Sequence, residues 1–112
     1  MAEARLHSNL AGDRWHRLAL VEQMANVGSE VGRAVRARTM GNEHRLDRAL
    51  DRTLELFDLT LADPRLRGRR QEICRAREVV LDYLVGTNEH NSTADSINGY
   101  FLYFGAAARR GR

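Results

Sequence analysis

The sequence predicts an all-α protein, an antiparallel up-and-down four-helix bundle in a single domain. Three observations carry that expectation. Apolar residues recur at spacings of three and four in four separate segments. No hairpin dipeptide sits between alternating apolar and polar residues, and the chain has one proline. Its 112 residues suffice for one core and not for two.

The first helix is expected from roughly Asp13 to Thr39, after a flexible tail over residues 1–12. Leu20, Met24, Val27, Val31 and Val35 share one face. Beside them runs a stripe of small residues, Val21, Ala25, Gly28 and Gly32. Each glycine weakens a helix by about 1 kcal/mol relative to alanine, so the stripe predicts a neighbouring helix at close approach. The second helix is expected to start at an Asn42 N-cap, with Leu46, Leu50, Thr53, Leu54, Phe57 and Leu61 facing inward. In "LADPRLRGRR", Asp63 can cap a third helix whose first position is Pro64. Gly68 makes its opening turn irregular. Ile73, Ala76, Val80, Leu81 and Leu84 then form an apolar arc, and Gly86 is placed to end the helix in a left-handed conformation.

The stretch "VGTNEHNSTADS" leads to the fourth helix. Ser92 or Thr93 is a suitable N-cap, and Ser92 with Asp95 has the spacing of a capping box. Between Ile97 and Ala108 the one strongly polar side chain is Asn98. A helix that is apolar all round needs cover all round. Tyr100, Phe101, Tyr103 and Phe104 are therefore the expected interface of a homodimer or higher homo-oligomer.

Composition narrows the function classes. Apolar residues are 43% and charged residues 29%, as in ordinary globular domains. No run reaches membrane-spanning length and no signal peptide is legible at the N-terminus, so no membrane role is expected and the expected compartment is the cytoplasm. Cys74 has no second cysteine to join and reads as a small buried apolar residue. All eighteen cationic side chains are arginine. Arginine suits bidentate binding of phosphate or carboxylate, although the absence of lysine is explained more simply by codon bias in a GC-rich genome.

The phrases "LVEQMANVGSEVGRA", "DLTLADPR" and "CRAREVVLDYLVGTNE" resemble a family of short, uncharacterised prokaryotic all-helical proteins. The similarity covers most of the chain after residue 15. It implies a helical fold and no activity. Arg38 and His44 have the spacing of the HEPN ribonuclease signature, an arginine four to six residues before a histidine, but here they straddle a turn between helices. That weaker resemblance implies a ribonuclease bundle.

Three sets of residues are candidate sites. In an up-and-down bundle the first and third loops share a pole. Both contain Asn-Glu-His, so Glu43, His44, Glu89 and His90 could bind a divalent metal, against the simpler reading of solvated helix starts. The opposite pole gathers Arg14 and Arg17 at the start of the first helix, Arg65, Arg67, Arg69 and Arg70, and the terminal Arg109, Arg110 and Arg112, a surface for an acidic protein or nucleic acid. Arg77 projects from the middle of an apolar arc, and a buried guanidinium needs an acceptor. Glu30 is the first candidate and Glu89 the next, with Asn88 and His90 alongside in a possible polar pocket. No nucleotide-binding loop and no nucleophile motif is present, and no cofactor is expected. The leading expectation is a non-enzymatic, self-associating interaction or adaptor module. A nucleic-acid-binding or HEPN-like bundle and a metal-binding bundle are the alternatives.

Overall fold

The computed structural model describes residues 13–110. The expected flexible tail over residues 1–12, and Arg112 of the expected basic pole, lie outside the described residues. The described residues are all-helical, with no strand among them. After the helical residues 13–15, four α-helices follow in order: α1 Leu20–Thr39, α2 Glu43–Leu61, α3 Arg70–Leu84 and α4 Ala94–Arg110. A 3-10 helix, Pro64–Arg69, leads into α3.

Helix α1 buries Met24, Val27, Val31 and Val35, the face its spacing predicts. It starts at Leu20 rather than near Asp13, because residues 16–19 turn and lay the preceding residues across the end of α2. There Trp15 Nε1 donates to Thr60 Oγ1 at 2.8 Å, and His16 Nε2 lies 2.8 Å from the Leu59 carbonyl. The fully buried Gln23 amide donates to the carbonyls of Trp15 and Leu18, both at 3.2 Å. Carbonyls freed by the turn thus find partners.

Gly41, at φ +69°, closes α1 in the left-handed region. Its N–H donates to Arg38 O, and that of Asn42 donates to Ala37 O, the paired bonds of a Schellman motif. The Asn42 side chain then accepts from Arg45 N at 3.1 Å, the expected N-cap of α2. Within α2 the deepest line is Ala49, Thr53, Phe57 and Thr60, while Leu46, Leu50, Leu54 and Leu61 flank it half-buried. The threonines tolerate full burial because their hydroxyls donate back to Ala49 O and Leu56 O at 2.8 Å.

Asp63 caps the 3-10 helix through Arg65 N, with Pro64 at its first position as expected. Helix α3 buries Ile73, Ala76, Val80 and Leu84, and adds Tyr83, whereas Leu81 is only half-buried. Gly86 does not adopt the expected left-handed conformation; in this loop the positive φ values fall on Asn88 and Asn91. Gly86 is needed for space instead, since a Cβ there would stand 2.9 Å from Asp82 O. The capping box at α4 pairs Thr93 with Ser96, not Ser92 with Asp95. Thr93 Oγ1 accepts from Ser96 N, and Ser96 Oγ accepts from Thr93 N.

Helix α1 is the common neighbour: its main partners are α2 and α4, while α3 packs chiefly on α2 and the 3-10 helix. The small stripe works as its composition predicts. A Cβ on Gly28 would stand 2.6 Å from Phe101 Cβ, so glycine sets how closely α4 can lie.

Candidate interaction surfaces

Two of the four aromatics expected at an oligomer interface are committed to the chain's own core. Phe101 and Phe104 are buried, because α4 seats that face on α1. Tyr100 and Tyr103 remain exposed, Tyr103 at 64%, and Leu102 joins them at 67%. Sequence periodicity around Ile97–Ala108 pointed to the helix but not to Leu102, since every face of it is apolar. Between α3 and α4 lies a groove of about 360 Å³ with Ala76, Val79 and Val80 on one wall and Ile97, Tyr100 and Phe101 on the other. Tyr100 stands edge-on to Phe101 and Phe104, at ring separations of 5.0 and 5.5 Å. Burial pushes its hydroxyl pKa up, and the Glu72 charge adds to that against the opposing pull of Arg69, so the phenol stays neutral. The groove therefore presents a hydrogen-bonding tip on an apolar wall.

The expected Arg77–Glu30 pair does not form. Glu30 binds Arg33, one helical turn away at 3.0 Å, and Arg77 faces α2, where its Nε lies 3.7 Å from Asp58 Oδ1. The guanidinium is not in the core: the Arg77 side chain is 35% exposed, although its Nε is buried without a hydrogen bond among the described residues. Asn88, Glu89 and His90 are engaged elsewhere. The Asn88 amide is spent on the loop itself, accepting from Ser92 N at 2.8 Å and donating to Ser92 O at 2.9 Å. The backbone N–H groups of Glu89 and His90 donate to the Asp82 carboxylate at 2.9 and 3.0 Å. Those donors, that of His90 first, lower the Asp82 pKa. The Asn-Glu-His stretch is a loop wound on Asp82.

Among the described residues no three His, Cys, Asp or Glu side chains lie together as a metal site would require, so Glu43, His44, Glu89 and His90 are not gathered into one. Arg38 and His44 are likewise separate in role. Arg38 lies over the Tyr83 ring, 4.5 Å from its centroid, and His44 is exposed in the first turn of α2. Cys74 is exposed rather than buried.

Much of the expected basic pole is used internally. Arg65 grips Asp63 through Nε and Nη2, with Nη2 2.6 Å from Oδ2, and donates to Leu18 O at 2.6 Å. Arg69 pairs with Glu72 at 2.8 Å, and Arg70 donates to Leu61 O at 3.3 Å. Of the four, Arg67 alone has no hydrogen bond or ion pair among the described residues. No described helix is long and apolar enough to cross a membrane. The molecule is thus an all-helical protein with an open apolar groove beside its last helix. Comparison with protein-family models, curated proteins and solved structures gives no match.

Proposed function

We propose that the chain is a non-enzymatic, self-associating interaction module that works as a homodimer, its helices disposed as an antiparallel up-and-down bundle left open between α3 and α4. The observation that carries this reading is the outer face of α4, where Leu102 and Tyr103 stand exposed, Leu102 at the edge of the groove between α1 and α4. Apolar surface gains about 25 cal/mol for each Å² removed from water, so such a face favours a covered state. A second copy supplies cover of the same chemistry, because a two-fold axis beside α4 brings one patch onto its equivalent. The tight Gly41–Asn42 connection supports the antiparallel setting of α1 and α2. The exposed thiol of Cys74 suits a reducing compartment, which supports a cytoplasmic setting.

Light scattering on the untagged protein at micromolar concentration is expected to report twice 12.7 kDa. Leu102→Glu with Tyr103→Glu should return the mass to that of one chain without loss of helical circular dichroism, since both side chains are exposed in the protomer. Phe101 and Phe104 are unsuitable targets because replacing them would empty the core. A parent protein that remains monomeric across the micromolar range would end the proposal.

A further inference from the structure

Five arginines converge elsewhere, on a groove between α1 and α2. Arg33 and Arg36 on α1 face Arg45, Arg48 and Arg52 on α2 across an open space of about 580 Å³. Glu30 is the one carboxylate lining it, and Glu30 is bound to Arg33 and largely buried. The side chains of Arg36, Arg45, Arg48 and Arg52 make no hydrogen bond or ion pair among the described residues. Yet the chain has fifteen acidic residues to offer, several of them on α2 itself.

Helix stability accounts for only part of this placement, since Arg48 and Arg52 each precede a carboxylate by three residues, Asp51 and Glu55. Arg36 suits the last turn of α1, but Arg45 lies in the first turn of α2, where the helix dipole opposes a cation. Arg45, Arg48 and Arg52 follow at three and four residues, and Arg33 and Arg36 at three, spacings at which like charges repel. An external anion would relieve that repulsion. Arg45 to Arg52 spans seven residues, about 10 Å along the helix, so the row outreaches a single phosphate and fits a chain of them. Guanidinium matches phosphate with two parallel hydrogen bonds. No aromatic ring lines the groove on which an unpaired base could stack. Nor is there a large aromatic anchor of the kind that dominates protein interfaces.

The geometry points to the α1–α2 groove as a site for the phosphate backbone of duplex nucleic acid, bound without reading its sequence. Through Arg36 and Met40 it adjoins the α1–α4 groove that Leu102 borders, and it is not the arginine pole around residues 65–70.

The test is fluorescence anisotropy of the full chain with a labelled 20-bp duplex over a salt series. With four or five arginines neutralising phosphates, the logarithm of affinity should fall with the logarithm of salt at a slope of about −3.5 to −4.5. Arg48→Ala with Arg52→Ala should shallow that slope by about 2 and weaken binding at least tenfold. Their thermal midpoint should hold or rise, because repulsion is removed. Arg67→Ala, an exposed change outside the groove, should bind within twofold of the parent. Three results would overturn the inference: no binding of the duplex at low salt, equal binding by the groove variants, or tighter binding of labelled poly-glutamate, which would assign the groove to acidic polypeptide.

Discussion

Asp63 is fully buried and still charged, and the reason is the number of donors aimed at it. Arg65 contributes its side chain and its backbone N–H, and the Gln23 amide adds a bond at 2.9 Å. The Arg65 hydrogen bonds outweigh the cost of burial and hold the carboxyl well below the usual carboxylate range. Above the ordinary value of about 3.9 the group is ionised folded or unfolded, and the native contacts add their full stabilisation. Below it the unfolded chain takes up the proton first, so stability falls as the pH descends toward the native value. Asp63→Asn is expected to cost about 2 kcal/mol near neutral pH and to flatten the loss of urea midpoint below pH 4, with the slope due to Asp82 remaining. An unchanged acid slope would mean that the pairing in solution is not the one described. Arg77 predicts the opposite kind of result. Its pair with Asp58 is long and its Nε unsatisfied, so Arg77→Met should change stability by less than about 1 kcal/mol in urea titration. Sequence periodicity placed Arg77 in the core because it sits at the centre of an apolar arc. It could not show that α2 offers Asp58, and solvent, at that height.

Glycines 28 and 32 occupy one stripe of α1 but have different surroundings. A methyl group on Gly28 meets Phe101 Cβ at 2.6 Å, whereas on Gly32 the nearest atom is Asn98 Oδ1 at 3.9 Å. Gly28→Ala must push α4 away, and overpacking of about 1–3 kcal/mol should exceed the helix-propensity gain of about 1 kcal/mol. Gly32→Ala keeps that gain and should raise the thermal midpoint. Equal effects of the two substitutions would show that α4 does not rest on Gly28. Spacings of three and four located all four helices, and local chemistry located the caps at Asn42 and Asp63. What periodicity missed depends on distant partners. The turn before α1 exists because Trp15 reaches Thr60, a residue 45 positions away. Gly86 reads like a left-handed terminator, yet it is the closeness of Asp82 that demands glycine there.

Across the whole molecule, α1 is held from two sides and α3 principally from one. Native-state hydrogen exchange should therefore find the slowest amides in α1 around Val27 to Val35 and faster exchange along α3, which borders the open groove. Uniform protection would mean that the chain opens only as one unit. The candidate surfaces were less legible than the fold. Leu102 is hidden among apolar neighbours in the sequence, and the arginine groove arises only when α1 and α2 fold back on each other. The position of α1 also has a temporal side. Of the four helices this one leaves the ribosome first, and the residue that rests on Gly28 is Phe101, near the end of the described chain. At ~5–20 residues per second, roughly 4–15 seconds of translation separate the two. Throughout that interval a completed α4 from a neighbouring nascent chain meets a vacant seat. Were siblings on one message to exchange α4 in that interval, slower translation should enrich domain-swapped pairs, which size-exclusion chromatography would read as dimers that dilution alone does not separate.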